Sequence, residues 1–137
     1  MHSHKLQEID LQHLLLLGKS LKDSAIKHII FIDIECPTST SLSEVGHVFE
    51  LHPLTVEDCF NSTETTEKNE IFDNYRFIVI TEVSLIPDSN QLQQVNVNLI
   101  VSTNFIICTH QGPVRCIDQM LNRMWKSQVI KVVIRTR

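Results

Sequence analysis

The sequence predicts an α/β fold in which a mixed β-sheet, with antiparallel hairpin strands, packs against helices. Three observations carry this. A dense β-branched and aromatic run at His28–Ile34 is followed by helical segments before any further strand, which demands a crossover. Three later strand-like segments are separated by short turn clusters, the mark of antiparallel neighbours. Apolar residues then recur at helical spacing after Gly112-Pro113.

The elements follow in order. Leu11, Leu14, Leu15 and Leu17 suggest a helix over Leu11–Leu21, weakened by Gly18. The run His28–Ile34 reads as a buried strand that ends at Glu35-Cys36-Pro37, where proline cannot continue a ladder. Ser41, with Glu44 three residues later, has the spacing of a capping box. Leu42, Val45, Val48 and Phe49 then form one apolar stripe. Pro53 suits the first position of a second helix, with His52 either capping it or packing against the strand layer, and Leu54, Val56, Cys59 and Phe60 as its packed face. The chain turns a sharp corner between the two.

Asn61–Asn69 is polar and reads as an exposed connection. Glu70–Leu85 reads as one long strand with Tyr75, Phe77, Val79 and Ile80 inward. Pro87-Asp88-Ser89-Asn90 is a turn cluster. Gln94–Val101 alternates polar and apolar residues, the period of a half-exposed strand. Ser102-Thr103-Asn104 is a hairpin connection to a strand over Phe105–Thr109. Val114, Ile117, Met120 or Leu121, and Met124 line the last helix. The segment Val129–Ile134 is strand-like and fits either an edge strand or a continuation of the chain. The organisation is thus an N-terminal extension (1–24), an α/β domain (25–126) and a C-terminal extension (127–137).

Composition narrows the function classes. The 137 residues suffice for one cored domain, and 42% hydrophobic with 20% charged residues is ordinary for a globular protein. A net charge of −4 argues against a nucleic-acid surface, which carries a basic excess. No run approaches the roughly 20 apolar residues that span a bilayer. Cys36, Cys59, Cys108 and Cys116 include no C-x-x-C pair, so neither a usual zinc site nor a disulfide framework is expected, and reduced thiols are.

Four segments, in this order, resemble the cytosolic part of the CorA magnesium-channel superfamily. They are Ile30-Phe31-Ile32-Asp33-Ile34, His52-Pro53-Leu54-Thr55-Val56-Glu57-Asp58, Glu70–Val79 and Gly112-Pro113-Val114-Arg115. Family members carry W-I-D-I, then H-P-L-x-x-E-D, then K-x-E-x-F-x-x-Y-x-F-I-V, then a hairpin and a helix near P-V-R. The resemblance runs from about Ala25 to Trp125, and Thr63–Lys68 looks closer to the fungal-type branch. It implies a cytosolic regulatory domain of a Mg²⁺ or related divalent-cation (Co²⁺ included) transporter, pentameric when full-length. Such a domain lies at the cytoplasmic face of a membrane reached through helices absent from this sequence. The stalk helix, the membrane helices and the G-M-N motif are lacking, as in an excised or truncated domain.

Glu57 and Asp58 occupy the family's cation-sensing E-D position. Adjacent helical residues diverge by about 100°, so they cannot form a ready chelate for a bare ion. A hydrated Mg²⁺, weakly held, bridging these acids to a neighbouring subunit fits better. The bland reading is two solvated acids. Two other function classes stand beside this one: a soluble interaction or adaptor module, and a small hydrolase built on Asp33 and Glu35 or on Cys108 and His110. For those residues the plain expectation is a polar strand end, a buried thiol and an exposed loop histidine. No glycine-rich phosphate loop or G-x-S-x-G is present, and an enzyme is not expected.

Overall fold

A computed structural model describes residues 29–61, 67–112, 114–126 and 130–136. The helix expected at Leu11–Leu21 lies outside them. The elements are β1 (Ile29–Glu35), α1 (Ser39–Val48), α2 (Pro53–Phe60), β2 (Lys68–Ile71), β3 (Arg76–Leu85), β4 (Leu92–Val101), β5 (Phe105–His110), α3 (Arg115–Lys126) and β6 (Ile130–Thr136).

The six strands form one mixed sheet in the order β2-β3-β4-β5-β1-β6. From β2 to β5 each neighbour is antiparallel, whereas β1 runs parallel to both β5 and β6. The strand-like tail is therefore an edge strand of the same sheet, beside β1.

Helices cover both faces. On one side Leu42 and Val45 of α1, its C-cap Phe49 and Cys59 of α2 pack with Ile30, Ile32, Ile34, Phe77, Val79, Ile100 and Ile107. On the other side Val114, Ile117 and Leu121 pack with Phe31, Val97 and Cys108. A strand covered twice needs apolar residues on both faces, which is why β1 and β5 read as near-continuous runs rather than alternating ones. No helix of the described residues is long and apolar enough to cross a membrane.

Several local expectations are corrected. The cap of α1 is Thr38, with Ser41 at the third helical position: Ser41 N–H donates to Thr38 Oγ1 and Thr38 N–H donates to Ser41 Oγ. The capping box is real but begins three residues earlier, with serine in place of the usual Glu or Gln. The single long strand is a hairpin. Phe72–Tyr75 folds back, with Phe72 N–H donating to Tyr75 C=O at 2.9 Å, because Asp73-Asn74 supplies turn residues inside an otherwise strand-like run. The inner face of α2 is Thr55 and Cys59 with half-buried Val56, while Leu54 and Phe60 point to solvent at 58% and 50% exposure. On β3, Ile80 is exposed, but Phe77 and Val79, and Tyr75 just before the strand, are buried as expected.

The corner between α1 and α2 has a specific geometry. Leu51 N–H donates to Gly46 C=O at 2.8 Å, and Glu50 adopts φ 56°, so a left-handed residue closes α1. The helices meet closely at Gly46, where a Cβ would sit 2.7 Å from Val56 Cγ2.

Candidate functional site

The N-terminus of α2 is built from Pro53 at its first position and His52 as its cap, whose Nδ1 accepts from Leu54 N–H at 3.1 Å. The sheet reaches up to it. His52 N–H donates to the Tyr75 hydroxyl at 2.9 Å, and that hydroxyl lies 2.7 Å from Thr55 Oγ1. Phe72 stacks on Tyr75 with ring centres 4.7 Å apart and also meets the His52 ring at 5.5 Å. This fixes how α2 presents its acids.

Glu57 and Asp58 leave α2 in different directions, as helical neighbours must. Glu57 is exposed, on the face that also carries Leu54 and Phe60. Asp58 is partly covered and forms an ion pair with Lys68 at the start of β2. Lys68 Nζ also lies 3.0 Å from Glu70 Oε1 and 5.6 Å from the centre of the Phe77 ring. The Asp58 hydrogen bond holds the ammonium above the ordinary lysine range against the opposing effect of burial, and Glu70 adds to it.

A divalent ion of the magnesium kind takes carboxylate oxygens and keeps much of its water. Glu57 fits that role from an accessible position. At Asp58 an ion competes with Lys68, which already holds Oδ2. The sequence reading placed Lys68 in the polar connection and missed this partner. The available signal was the K-x-E spacing of Lys68 and Glu70, in which alternate residues of a strand share a face.

The acids of β1 behave otherwise than expected. Asp33 is fully buried and His110 is 2% exposed, so neither the polar strand end nor the loop histidine holds. The two side chains meet, with His110 Nε2 2.6 Å from Asp33 Oδ1. Cys108 is buried as expected, and burial, reinforced by the Asp33 charge, pushes its thiol well above the ordinary range. A nucleophile needs the opposite shift. Glu35 is half-buried and stands across from His110. One sequence cannot show this meeting, because it depends on the parallel register that sets Asp33 beside Cys108 and Glu35 beside His110.

Comparison with known proteins bears on most of the chain. A family model described as CorA-like Mg²⁺ transporter protein matches residues 27–131. The chain is 32% identical over 85 residues to the magnesium transporter ALR1 of Saccharomyces cerevisiae, covering 61% of this chain and 10% of that one. It is 33% identical over 66 residues to the cobalt/magnesium transport protein CorA of Thermotoga maritima, covering 48% of this chain and 18% of that protein. The soluble domain of CorA from Methanocaldococcus jannaschii matches in fold with a TM-score of 0.53 at 11% identity, over 91% of this chain and 43% of that one. The chain thus spans less than a fifth of the length of either named sequence relative. These relatives are named as transporters, and the raised Cys108 thiol counts against the small-hydrolase reading. By sequence over most of its length and by its three-layer fold, the chain belongs to the CorA-like Mg²⁺ transporter family.

Proposed function

We propose that this chain is the cytosolic regulatory domain of a divalent-cation transporter, and that Glu57, with Asp58 beside it, senses the transported ion where subunits meet. The observation that carries the reading is the outer face of α2. At 100° per residue, Leu54, Glu57 and Phe60 fall within about 120° of one another with Glu57 at the centre. Leu54 and Phe60 are 58% and 50% exposed, so the acid stands between two large apolar side chains open to solvent. Apolar exposure of this kind suits a contact with another subunit, and a carboxylate at its centre repels its counterpart unless a cation intervenes.

The Asp58–Lys68 pair orders the two acids. Glu57 takes a hydrated Mg²⁺ or Co²⁺ first. Asp58 contributes once the ion displaces Lys68, which keeps affinity low and makes the response regulatory. In a homo-oligomer, a pentamer on the family pattern, binding at each interface favours the closed ring and ion loss loosens it.

The test uses a full-length transporter carrying this domain, with flux measured against internal Mg²⁺. The variant Glu57→Gln is expected to raise the half-inhibiting concentration about tenfold, equivalent to ~1.4 kcal/mol of lost coupling. Lys68→Met is expected to lower it by removing the cation that competes for Asp58. Unchanged inhibition in the double variant Glu57→Ala, Asp58→Ala removes the sensing claim.

A further inference from the structure

The C-terminal ends of β1 and β5 carry a second cluster, on the sheet face opposite α2. Parallel pairing sets Asp33 level with Cys108, and alternation along β5 places His110 on the same face. One donor atom from each residue, a carboxylate oxygen, the thiol sulfur and an imidazole nitrogen, lies within 4.8 Å of the other two, and all three residues are buried. His110 Nδ1 donates to the Gly112 C=O at 2.5 Å, which leaves Nε2 aimed at Asp33. An imidazole that binds a metal is held in this way, with one nitrogen fixed by a backbone carbonyl and the other presented to the shared centre.

We propose that Asp33, Cys108 and His110 form a buried site for a borderline-soft divalent ion of the zinc or cobalt class, distinct from Glu57 and Asp58 of α2. The donor set selects the ion. Thiolate and imidazole suit zinc and cobalt, whereas magnesium prefers oxygen ligands and gives up water reluctantly.

Charge balance makes the burial tolerable. Without metal, an aspartate, a histidinium and a neutral thiol sum to zero. With the ion, its two positive charges are met by one carboxylate and one thiolate beside a neutral imidazole, again summing to zero. The ion therefore replaces one proton from Cys108 Sγ and one from His110 Nε2, both released to solvent, and leaves no net charge in the interior.

The geometry needs little adjustment. Tetrahedral bonds of about 2.0–2.3 Å hold donor atoms roughly 3.3–3.8 Å apart. The 2.6 Å separation of Nε2 and Oδ1 must open by about 0.7–1.2 Å. An ion there ties β1 to β5 and to the connection leading into α3.

The test is Co²⁺ titration of the chelator-treated, reduced 137-residue chain, followed by absorption. A sulfur-to-cobalt charge-transfer band, with visible bands of tetrahedral intensity, is expected to saturate at one ion per chain. Zn²⁺ is expected to abolish it and millimolar Mg²⁺ to leave it unchanged. The band should persist in Cys36→Ser, which alters the exposed thiol, and vanish in Cys108→Ser. Absence of the band in the unmodified chain overturns the proposal whether or not any variant folds. Loss in Cys36→Ser with retention in Cys108→Ser overturns it also, by assigning the sulfur to the surface. Neither result touches the Glu57 reading, which is measured by flux.

Discussion

The Tyr75 hydroxyl lies 2.7 Å from Thr55 Oγ1 and accepts the His52 backbone N–H at 2.9 Å, joining the turn between β2 and β3 to the first turn of α2. Tyr75 and Thr55 are both buried. Tyr75→Phe keeps the ring stack on Phe72 but strands the His52 donor and the Thr55 hydroxyl. A loss of about 1–3 kcal/mol is expected, the range for a buried polar group left without its partner. Urea unfolding should show a lower midpoint at an unchanged slope. Thr55→Val should lose less in the Tyr75→Phe background than in the unmodified chain.

Gly46→Ala sets two effects against each other. Alanine favours a helix over glycine by about 0.8–1.0 kcal/mol. Its Cβ would meet Val56 Cγ2 at 2.7 Å, and overpacking of that kind typically costs about 1–3 kcal/mol. Net destabilisation by about 1 kcal/mol is expected. In a Val56→Ala background the same change should become stabilising, because only the propensity effect remains. Thermal unfolding of the four chains decides it.

The buried histidine makes stability depend on pH in a defined direction. Burial opposes the charge on His110, but the hydrogen bond and charge of Asp33, helped by the Gly112 carbonyl, outweigh it and hold the imidazole above its ordinary value. A folded value raised over the unfolded one stabilises the charged form. In the metal-free chain that contribution is therefore complete below about pH 6.5 and is lost as pH rises through the folded value. Urea unfolding at stepped pH in the presence of chelator should show the decline, and His110→Gln should flatten it.

The four cysteines should separate by reactivity. Cys36 is exposed, with its thiol donating to the Gln111 carbonyl at 2.9 Å. Burial pushes the Cys59 thiol up to about 12, and Cys108 is shifted in the same direction. Cys116 is half-buried and raised by burial and by the Glu82 charge. Alkylation of the native chain near pH 8 should label Cys36 first and Cys116 slowly. Cys59 and Cys108 should react only on unfolding. Mass spectrometry of timed digests reads the order directly.

What could be seen in advance follows from range along the chain. The stripe Leu42, Val45, Phe49 and the proline-led start of α2 depend on residues within a few turns of each other, and both are present. The exposed Leu54 and Phe60 were misassigned because helical spacing says which residues share a face but not which face meets the sheet. The hairpin at Asp73-Asn74 was hidden by aromatic residues on both sides of two turn formers. The Asp58–Lys68 pair and the meeting of Asp33 with His110 depend on how distant strands align, and a single sequence carries no register for parallel strands.

The position of β1 has a consequence for how the molecule comes together. Its sheet neighbours are β5 and β6, so Ile30 waits for Phe105 and then for Val132 before it is paired on either edge. Loops that long are slow to close, and a nascent chain must shelter one of its most apolar segments until the residues around Val132 have emerged. Interruption of synthesis before Phe105 would release a polypeptide with an unsatisfied, sticky strand, a ready substrate for chaperones and proteases.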